Sequence, residues 1–529
     1  MPSRARSAFF VAAGILLTRL TGLVRQRVFA HYFGLQSDPA DAFSAAFRIP
    51  NVLQNLFGEG ALSASFIPVY AALLAREEGA KADRVAGAVA SLLALTTSVV
   101  VLIGVLATPP LIDAIAPGFT GSKRELTISL VRILFPGAGL LVLSAWCLGV
   151  LNSHHRFLLS YIAPVVWNAA MIATMLAFGA RSPLPRLAVM LAWGSVAGSA
   201  LQFAVQVPVV LRVAPDLRFS IDVASTEVRT VARQFVPVFV SRGVVQISAY
   251  IDTLIASLLP TGAVTGVANA QLLYTLPVSL FGMSVSAAEL PAMSGAIGAD
   301  PAGAAAVRQR LDSGLRAIAF FVVPSAVAFL TLGDVISAAL FQTGRFSHAD
   351  AMTVWGILAG SAVGLLASTL GRLYSSTYYA LRDARTPLRY AFVRVVLTTV
   401  LGYLCAIPLP QWLGVPAIWG AAGLTASAGV AGWAEFLLLR RTLNARIGRT
   451  GLAVDYLLRL WIAAAAGAAI AWAIKIALPR MHPSISALFV LGGYGGAFVG
   501  TTLALRVPEA SEAMARLRNS LTRTRAKIS

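Results

Sequence analysis

The sequence predicts an all-α polytopic integral membrane protein of about 14 transmembrane helices. Three observations predict it. The chain is 529 residues long, 57% hydrophobic and only 12% charged. Its mean hydropathy is +0.77, and apolar runs repeatedly reach the length needed to cross a hydrocarbon core of roughly 30 Å. The alternating pattern of a barrel strand is absent, so the spans must satisfy their backbone groups as helices.

Taken in order, the apolar windows place spans near 7–33, 41–74, 85–111, 126–151, 157–179, 187–211, 234–259, 264–292, 314–333, 351–380, 387–407, 416–439, 454–478 and 484–505. The basic start MPSRARSAFF superficially suits a signal peptide, but Arg19 and Arg25 interrupt the apolar stretch, so it reads as a retained first span. Connections alternate in charge. One set, with the N-terminus and tail, carries 25 Lys and Arg; the other carries six: Lys123, Arg124, Arg181, Arg186, Arg345 and Arg480. By the positive-inside rule both termini are cytoplasmic and the span count is even. The same asymmetry accounts for much of the +20 net charge, so a nucleic-acid partner is not indicated.

The longest polar stretch before the tail, RVAPDLRFSIDVASTEVRTVAR, separates six spans from the rest. On either side a motif recurs. RIPNVLQNLFGEGALSASFIP in the second span and TLPVSLFGMSVSAAELP in the eighth share a Pro, a Phe-Gly, a Ser-Ala and a second Pro. Two pseudo-repeated six-helix lobes around a central cavity follow as the expectation, with two extra C-terminal helices. The expected boundaries are 1–215 for the first lobe, 216–233 for a cytoplasmic linker and 234–440 for the second lobe. The last two spans then occupy 441–506, and a basic tail 507–529.

Charges at membrane depth cost roughly 2.5 to 3.5 kcal/mol each on insertion scales, so each marks a candidate site. In the second span Asp41, Ser44, Arg48, Asn51, Asn55 and Glu59 recur at intervals of three and four, one continuous polar stripe on a helix. Arg19 and Arg25 in the first span offer a matching surface. Two readings coexist: the acids Asp41 and Glu59 pair with these arginines to hold two helices together, or the surplus positive charge receives an anion, for which the guanidinium fork suits phosphate. In the second lobe Arg242 and Arg372 interrupt apolar spans. Asp252, Asp383 and Thr399 make a candidate oxygen site for Na+ or H+, against an ordinary Arg–Asp pair. Glu289 reads as interfacial.

Enzymatic chemistry is not indicated. His154 and His155 are adjacent in a short loop and read as a solvated pair. There is no Gly-rich phosphate loop followed by Lys-Ser/Thr, no zincin motif and no paired acids of a glycosyltransferase type, and no cofactor is expected. Cys147 and Cys405, each within an apolar span, offer neither a disulfide framework nor metal spacing.

Several segments together resemble one family: LLTRLTGLVRQ, DAFSAAFRIPN, FGEGALSASFIPVY, APGF at 116–119, LNSHHRF, LFQTGRFS at 340–347 and YYALRDARTPLR. They resemble the MurJ (MviN) lipid II flippases of the superfamily that also holds multidrug extruders and polysaccharide exporters. The resemblance implies a bacterial inner-membrane protein that moves undecaprenyl-pyrophosphate-linked peptidoglycan precursor outward by alternating access. A Na+ or H+ gradient or the membrane potential would reset it, and a groove between the last two spans would take the polyprenyl tail. Its implied partners are lipid II or a related polyprenyl-pyrophosphate-linked glycan, membrane lipids and cell-wall synthesis proteins. Carried over by position, Arg19, Arg25, Asp41, Glu59 and Arg372 match cavity residues. The sequence departs from the pattern at Gln26, Gln54, Gln271 and Leu272, where relatives carry charge; Arg48 or Arg242 would then substitute. The alternatives are an exporter of another lipid-linked glycan or of drugs on the same fold, or a non-transporting cell-wall scaffold.

Overall fold

The computed structural model describes residues 4–57, 59–222, 224–295, 301–479 and 481–512; the side chains of 4–12, 49–50, 59–60, 240–249 and 301–302 lie outside the described set. Among the described residues every element is helical. The helices are α1 (Arg4–Phe33), α2 (Asp38–Phe57), α3 (Glu59–Ala75), α4 (Gly79–Leu106), α5 (Thr108–Ile115), α6 (Gly121–Ser153), α7 (Phe157–Phe178), α8 (Leu184–Val213) and α9 (Thr226–Ser257). There follow α10 (Ala263–Pro277), a π-helical turn (Val278–Met283), α11 (Ser284–Gly295), α12 (Pro301–Phe341), α13 (His348–Ala380), α14 (Arg385–Ala406), α15 (Pro408–Leu413), α16 (Gly420–Ile447), α17 (Val454–Ala477) and α18 (Pro483–Ala504).

Twelve segments are long and apolar enough to cross a membrane, each matching an expected span. The other two expected spans are α1 and α9, 30 and 32 residues long. Length alone lets them cross. In the second copy of the Phe-Gly motif, Phe281–Gly282 lie in the π turn; Gly58 of the first copy lies outside the described residues.

Packing divides the chain into two compact units, Met1–Thr265 with Thr343–Ser347, and Gly266–Gln342 with His348–Ser529. The division does not fall at the expected 216–233 linker, because α9 packs with the six spans before it. Phe57 of α2 packs against Phe235 and Phe239 of α9, tilted at 5.9 Å and edge-on at 4.8 Å. At the start of α9, Glu227 pairs with Lys81 at 2.6 Å.

The first unit is built around one apolar cluster running through α2, α4, α6 and α8. Against it α1 lies on α7: Thr18 donates to the Tyr161 carbonyl at 2.8 Å, and a side chain at Gly14 would collide with Tyr161. Gly34, at φ +67°, ends α1 in the left-handed conformation. Gly344, at φ +56°, lets the 343–347 turn approach so closely that Arg345 N–H donates to the His31 carbonyl at 2.8 Å. His154 is half-buried and bonds the Tyr70 hydroxyl at 2.9 Å, and that hydroxyl also donates to Asp83 at 3.3 Å. The solvated-pair reading therefore holds for His155, which is exposed, and not for His154.

The second unit is seamed by α13 and α16. Gly356, Gly360 and Gly364 recur every four residues, a stripe that lets helix backbones touch. A Cβ on Gly364 would sit 2.3 Å from the Gly429 Cα, and one on Gly360 2.4 Å from the Ala422 carbonyl. The α17–α18 pair is fastened to α12: Lys475 reaches Asp334 at 2.6 Å, and the Tyr494 hydroxyl donates to the Pro324 carbonyl at 2.6 Å.

Candidate functional site

Two of the expected first-span arginines lie at different kinds of position. Arg19 is exposed. Arg25, nearly two turns on, lies over two aromatic faces: its guanidinium carbon is 5.2 Å from the Phe47 ring centre and 5.3 Å from that of Trp167. Those rings are themselves stacked, 5.5 Å apart and 9° from parallel, and Nη1 approaches the Met171 sulfur at 3.9 Å. No carboxylate pairs with Arg25 among the described residues. Aromatic faces hold a cation without consuming its N–H donors. The cradle therefore orients a guanidinium whose fork remains available to a diphosphate.

The polar stripe of α2 breaks into parts with different duties. Asp41, at 1% exposure, does not face Arg19 or Arg25, and the expected pairing is corrected. Its carboxylate accepts from the Gly262 N–H at 2.8 Å, the Thr265 N–H at 2.9 Å and the Thr265 hydroxyl at 2.8 Å, and binds Lys123 at 2.9 Å. A carboxylate beside the first N–H groups of a helix satisfies donors that the helix itself leaves open. Asp38 completes the cluster, accepting from Thr261 at 2.8 Å and pairing with Lys123 at 3.2 Å. Ser44 lies one turn along and meets the Thr265 hydroxyl at 3.2 Å.

Arg48 donates to the Thr253 hydroxyl, and its carbonyl accepts from the Tyr250 hydroxyl at 3.2 Å. Asp252 is its charge neighbour. Asn51 lines a cleft of about 10 Å³, with Phe47, Trp167, Ser195 and Ser199, room for about one water. Asn55 is exposed and Gln54 half-buried. The expectations for Glu59 and Arg242 fall on side chains outside the described residues. With Asp41 spent on Lys123 and Asp252 beside Arg48, neither of these acids offsets Arg19 or Arg25.

In the second unit Arg372 is exposed on α13, within electrostatic reach of Arg394 and Glu435. Gln271 is exposed and donates to Thr275 at 3.3 Å. Asp383 and Thr399 do not meet. Asp383 caps α14, accepting from the Thr386 hydroxyl at 2.7 Å and its N–H at 3.1 Å, and pairs with Arg446 at 2.7 Å. These bonds hold its carboxyl down at about 2. Thr399 lies 13 residues beyond Thr386 on the same helix, about 20 Å away at 1.5 Å per residue, and donates to the Val395 carbonyl at 2.9 Å. The expected three-residue oxygen site is thus not assembled by α14, and Asp252 belongs to the other compact unit. Among the described residues no group of three or more His, Cys, Asp or Glu could hold a metal ion. Glu289 pairs with Arg310 at 3.7 Å.

Sequence reasoning did not find Phe47, Trp167 and Met171, Lys123, or Arg394 and Glu435. Phe47 could have been found, since it precedes Arg48 and shares a helix face with Phe43; Trp167 is more than 100 residues away and carries no local signal.

Helices throughout, a dozen and more of membrane-crossing length, and arginines presented at membrane depth define a multi-pass helical membrane transporter. The family model described as Lipid II flippase MurJ matches residues 29–491. Lipid II flippase MurJ of Burkholderia cenocepacia is 32% identical over 448 residues, 83% of this chain and 84% of the relative. A probable lipid II flippase MurJ of Rhizobium meliloti is 31% identical over 478 residues, 88% and 85% respectively. Among solved structures, a lipid II flippase MurJ in an inward closed conformation superposes with a TM-score of 0.76 at 20% identity, covering 94% of this chain and 99% of that one. An inward-facing multidrug resistance MATE family transporter of the MOP superfamily reaches 0.62 at 17% identity, covering 81% and 95%. The chain belongs to the lipid II flippase MurJ family.

Proposed function

We propose that this protein carries lipid II, the undecaprenyl-pyrophosphate-linked peptidoglycan precursor, from the cytoplasmic to the outer leaflet of a bacterial inner membrane, with both termini cytoplasmic. The observation that carries the reading is Arg25: a guanidinium cradled by Phe47 and Trp167, with Arg19 exposed on the same helix and no acid competing for either among the described residues. A pyrophosphate supplies the two charges and the oxygen geometry that such a pair lacks.

Access from the outer side is governed, in this reading, by the Asp41 cluster, since the loop bearing Lys123 belongs to the sparsely basic, outer set. Opening there requires Asp41 to release Lys123 and the N–H groups of Gly262 and Thr265. Asp252 is the group at which Na+ or H+ would act, because neutralising it loosens the charge beside Arg48; the membrane potential acts on the same arginines. A drug-exporter reading asks for an acidic cavity, and the surplus here is basic.

The test is reconstitution of the full chain with fluorescent lipid II. Wild type should move it between leaflets and Arg25→Ala should not, while remaining folded. Wild-type rates in Arg25→Ala, or failure of the chain to replace a depleted flippase in cells, would remove the reading.

A further inference from the structure

We propose that Arg394 and Arg372 form a second anion-receiving pair inside the second unit, with Glu435 as the internal counter-ion that positions Arg394 and gives way to the substrate. The inference deepens the flippase reading and rests on it for the identity of the substrate.

All three groups lie at one depth. Arg372 is eight residues before the end of α13 at Ala380, Arg394 nine residues after the start of α14, and Glu435 eleven residues before Arg446 on α16. At 1.5 Å per residue these are about 12 to 17 Å from the end marked by the Asp383–Arg446 pair, near the middle of a roughly 30 Å hydrocarbon layer. Glu435, 15% exposed, accepts from Arg394 at 3.2 Å, whose side chain is 45% exposed. Arg372, at the same depth on α13, is within electrostatic reach of both.

Two arginines and one glutamate leave a surplus of one positive charge at a depth where a charge facing lipid is costly. An ion pair serving only to join α14 and α16 would balance itself and be buried. Here the Arg394 side chain is 45% exposed and Glu435 15%, so the pair presents cationic donors and keeps its anion behind them. A single interhelical bond from Glu435 to Arg394 leaves most of that guanidinium's five donors unused. The ligand class is a phosphate or carboxylate oxyanion carried into the membrane on a lipid, which in lipid II means its diphosphate or the carboxylates of its peptide. The carboxylate of Glu435 sets the strength: it holds Arg394 in place when the site is empty and competes with the incoming anion, so the anion can leave again.

The experiment uses the full chain in neutral-lipid nanodiscs, titrated separately with lipid II, undecaprenyl diphosphate and phosphatidylglycerol, alongside the leaflet-transfer assay. Arg394→Gln should weaken binding about tenfold or more, as loss of a charge-assisted contact does, and Arg394→Lys should restore part of it. Glu435→Gln should tighten binding and slow turnover, lowering KM and kcat together. Weakening for both lipid II and undecaprenyl diphosphate assigns the diphosphate; weakening for lipid II alone assigns the peptide carboxylates. Equal weakening for phosphatidylglycerol would overturn substrate recognition in favour of ordinary lipid binding. The decisive variant is Arg394→Leu with Glu435→Leu, which keeps the net charge and replaces an ion pair by apolar packing. A structural pair predicts recovery of wild-type transfer and affinity, and that recovery would overturn the proposal; the expected result is a folded protein still defective in both. If wild type itself does not transfer lipid II, the flippase reading fails, and the undecaprenyl diphosphate titration still decides whether Arg394 binds the anion.

Discussion

Replacing Asp41 by Asn tests the outer closure at its most connected atom pair. The carboxylate takes three hydrogen bonds from Gly262 and Thr265 and one contact from Lys123, all within 2.9 Å, at 1% exposure. Asn keeps the shape, loses the charge and offers one oxygen in place of two. Hydrogen bonds to a charged group contribute about 1.5 to 3 kcal/mol each, and breaking a buried pair costs about 3 to 5 kcal/mol. Lys123 retains Asp38 at 3.2 Å, a partner that is itself 53% exposed, so the net loss falls near 2 to 3 kcal/mol. Converted at RT, the local opening equilibrium around 262–265 rises about 30- to 150-fold. Hydrogen exchange on the full chain in nanodiscs reads this directly at the two amides that donate to Asp41. Protection at Gly262 and Thr265 unchanged in Asp41→Asn would refute the reasoning, whatever happened to transport.

Other outcomes follow from the same structure. Trp167→Leu removes one face of the Arg25 cradle; at about 0.5 to 2 kcal/mol for a cation–π contact, KM for lipid II transfer should rise roughly two- to thirtyfold, with Trp167→Phe close to wild type. Gly364→Val should destabilise the second unit, since even a Cβ would sit 2.3 Å from the Gly429 Cα; thermal unfolding in detergent should show a lowered midpoint, and Gly500→Ala, with open space around it, should not. Asp383 has its carboxyl held at about 2 from an ordinary 3.8, first by the Thr386 hydroxyl, then by the Thr386 N–H, with Arg446 adding to them. Its folded value is depressed, so its stabilisation is complete above about 3.8 and is lost as pH falls toward 2. Asp383→Asn should therefore lower stability by about 1 kcal/mol at pH 7, as for a lost helix cap, and flatten the acid limb of the unfolding curve.

The helices were legible because the membrane enforces a length and a composition on each of them. All fourteen expected spans fall on helices, though the ninth, expected at 314–333, belongs to the much longer α12. What periodicity could not reveal was the division of labour along α2. Asp41, Arg48 and Asn51 share a stripe, yet one caps the 262–265 turn, one reaches α9, and one borders an internal cleft, because three different neighbours line that face. The placement of α9 with the first unit was equally hidden: a polar linker in sequence marks where the chain leaves a helix bundle, not which bundle the next helix joins. Aromatic support for Arg25 came from Phe47 on the next helix and from Trp167, more than 100 residues away, which only the folded chain brings to it.

The π turn at Val278–Met283 carries a consequence for how the eighth span is read. A turn that takes in one extra residue offsets everything after it by about 100° of helical phase relative to an uninterrupted α-helix. Gln271 on α10 and Glu289 on α11 are five turns apart by a plain count of 3.6 and would lie in line; with the π turn between them they point a quarter-turn or more apart. The turn is wedged in place, Phe281 stacked on Phe321 at 4.3 Å and Gly282 against the Thr369 methyl. Deleting one residue there would therefore act as a rotation of half a helix, a change of azimuth that leaves composition, hydropathy and span length almost untouched.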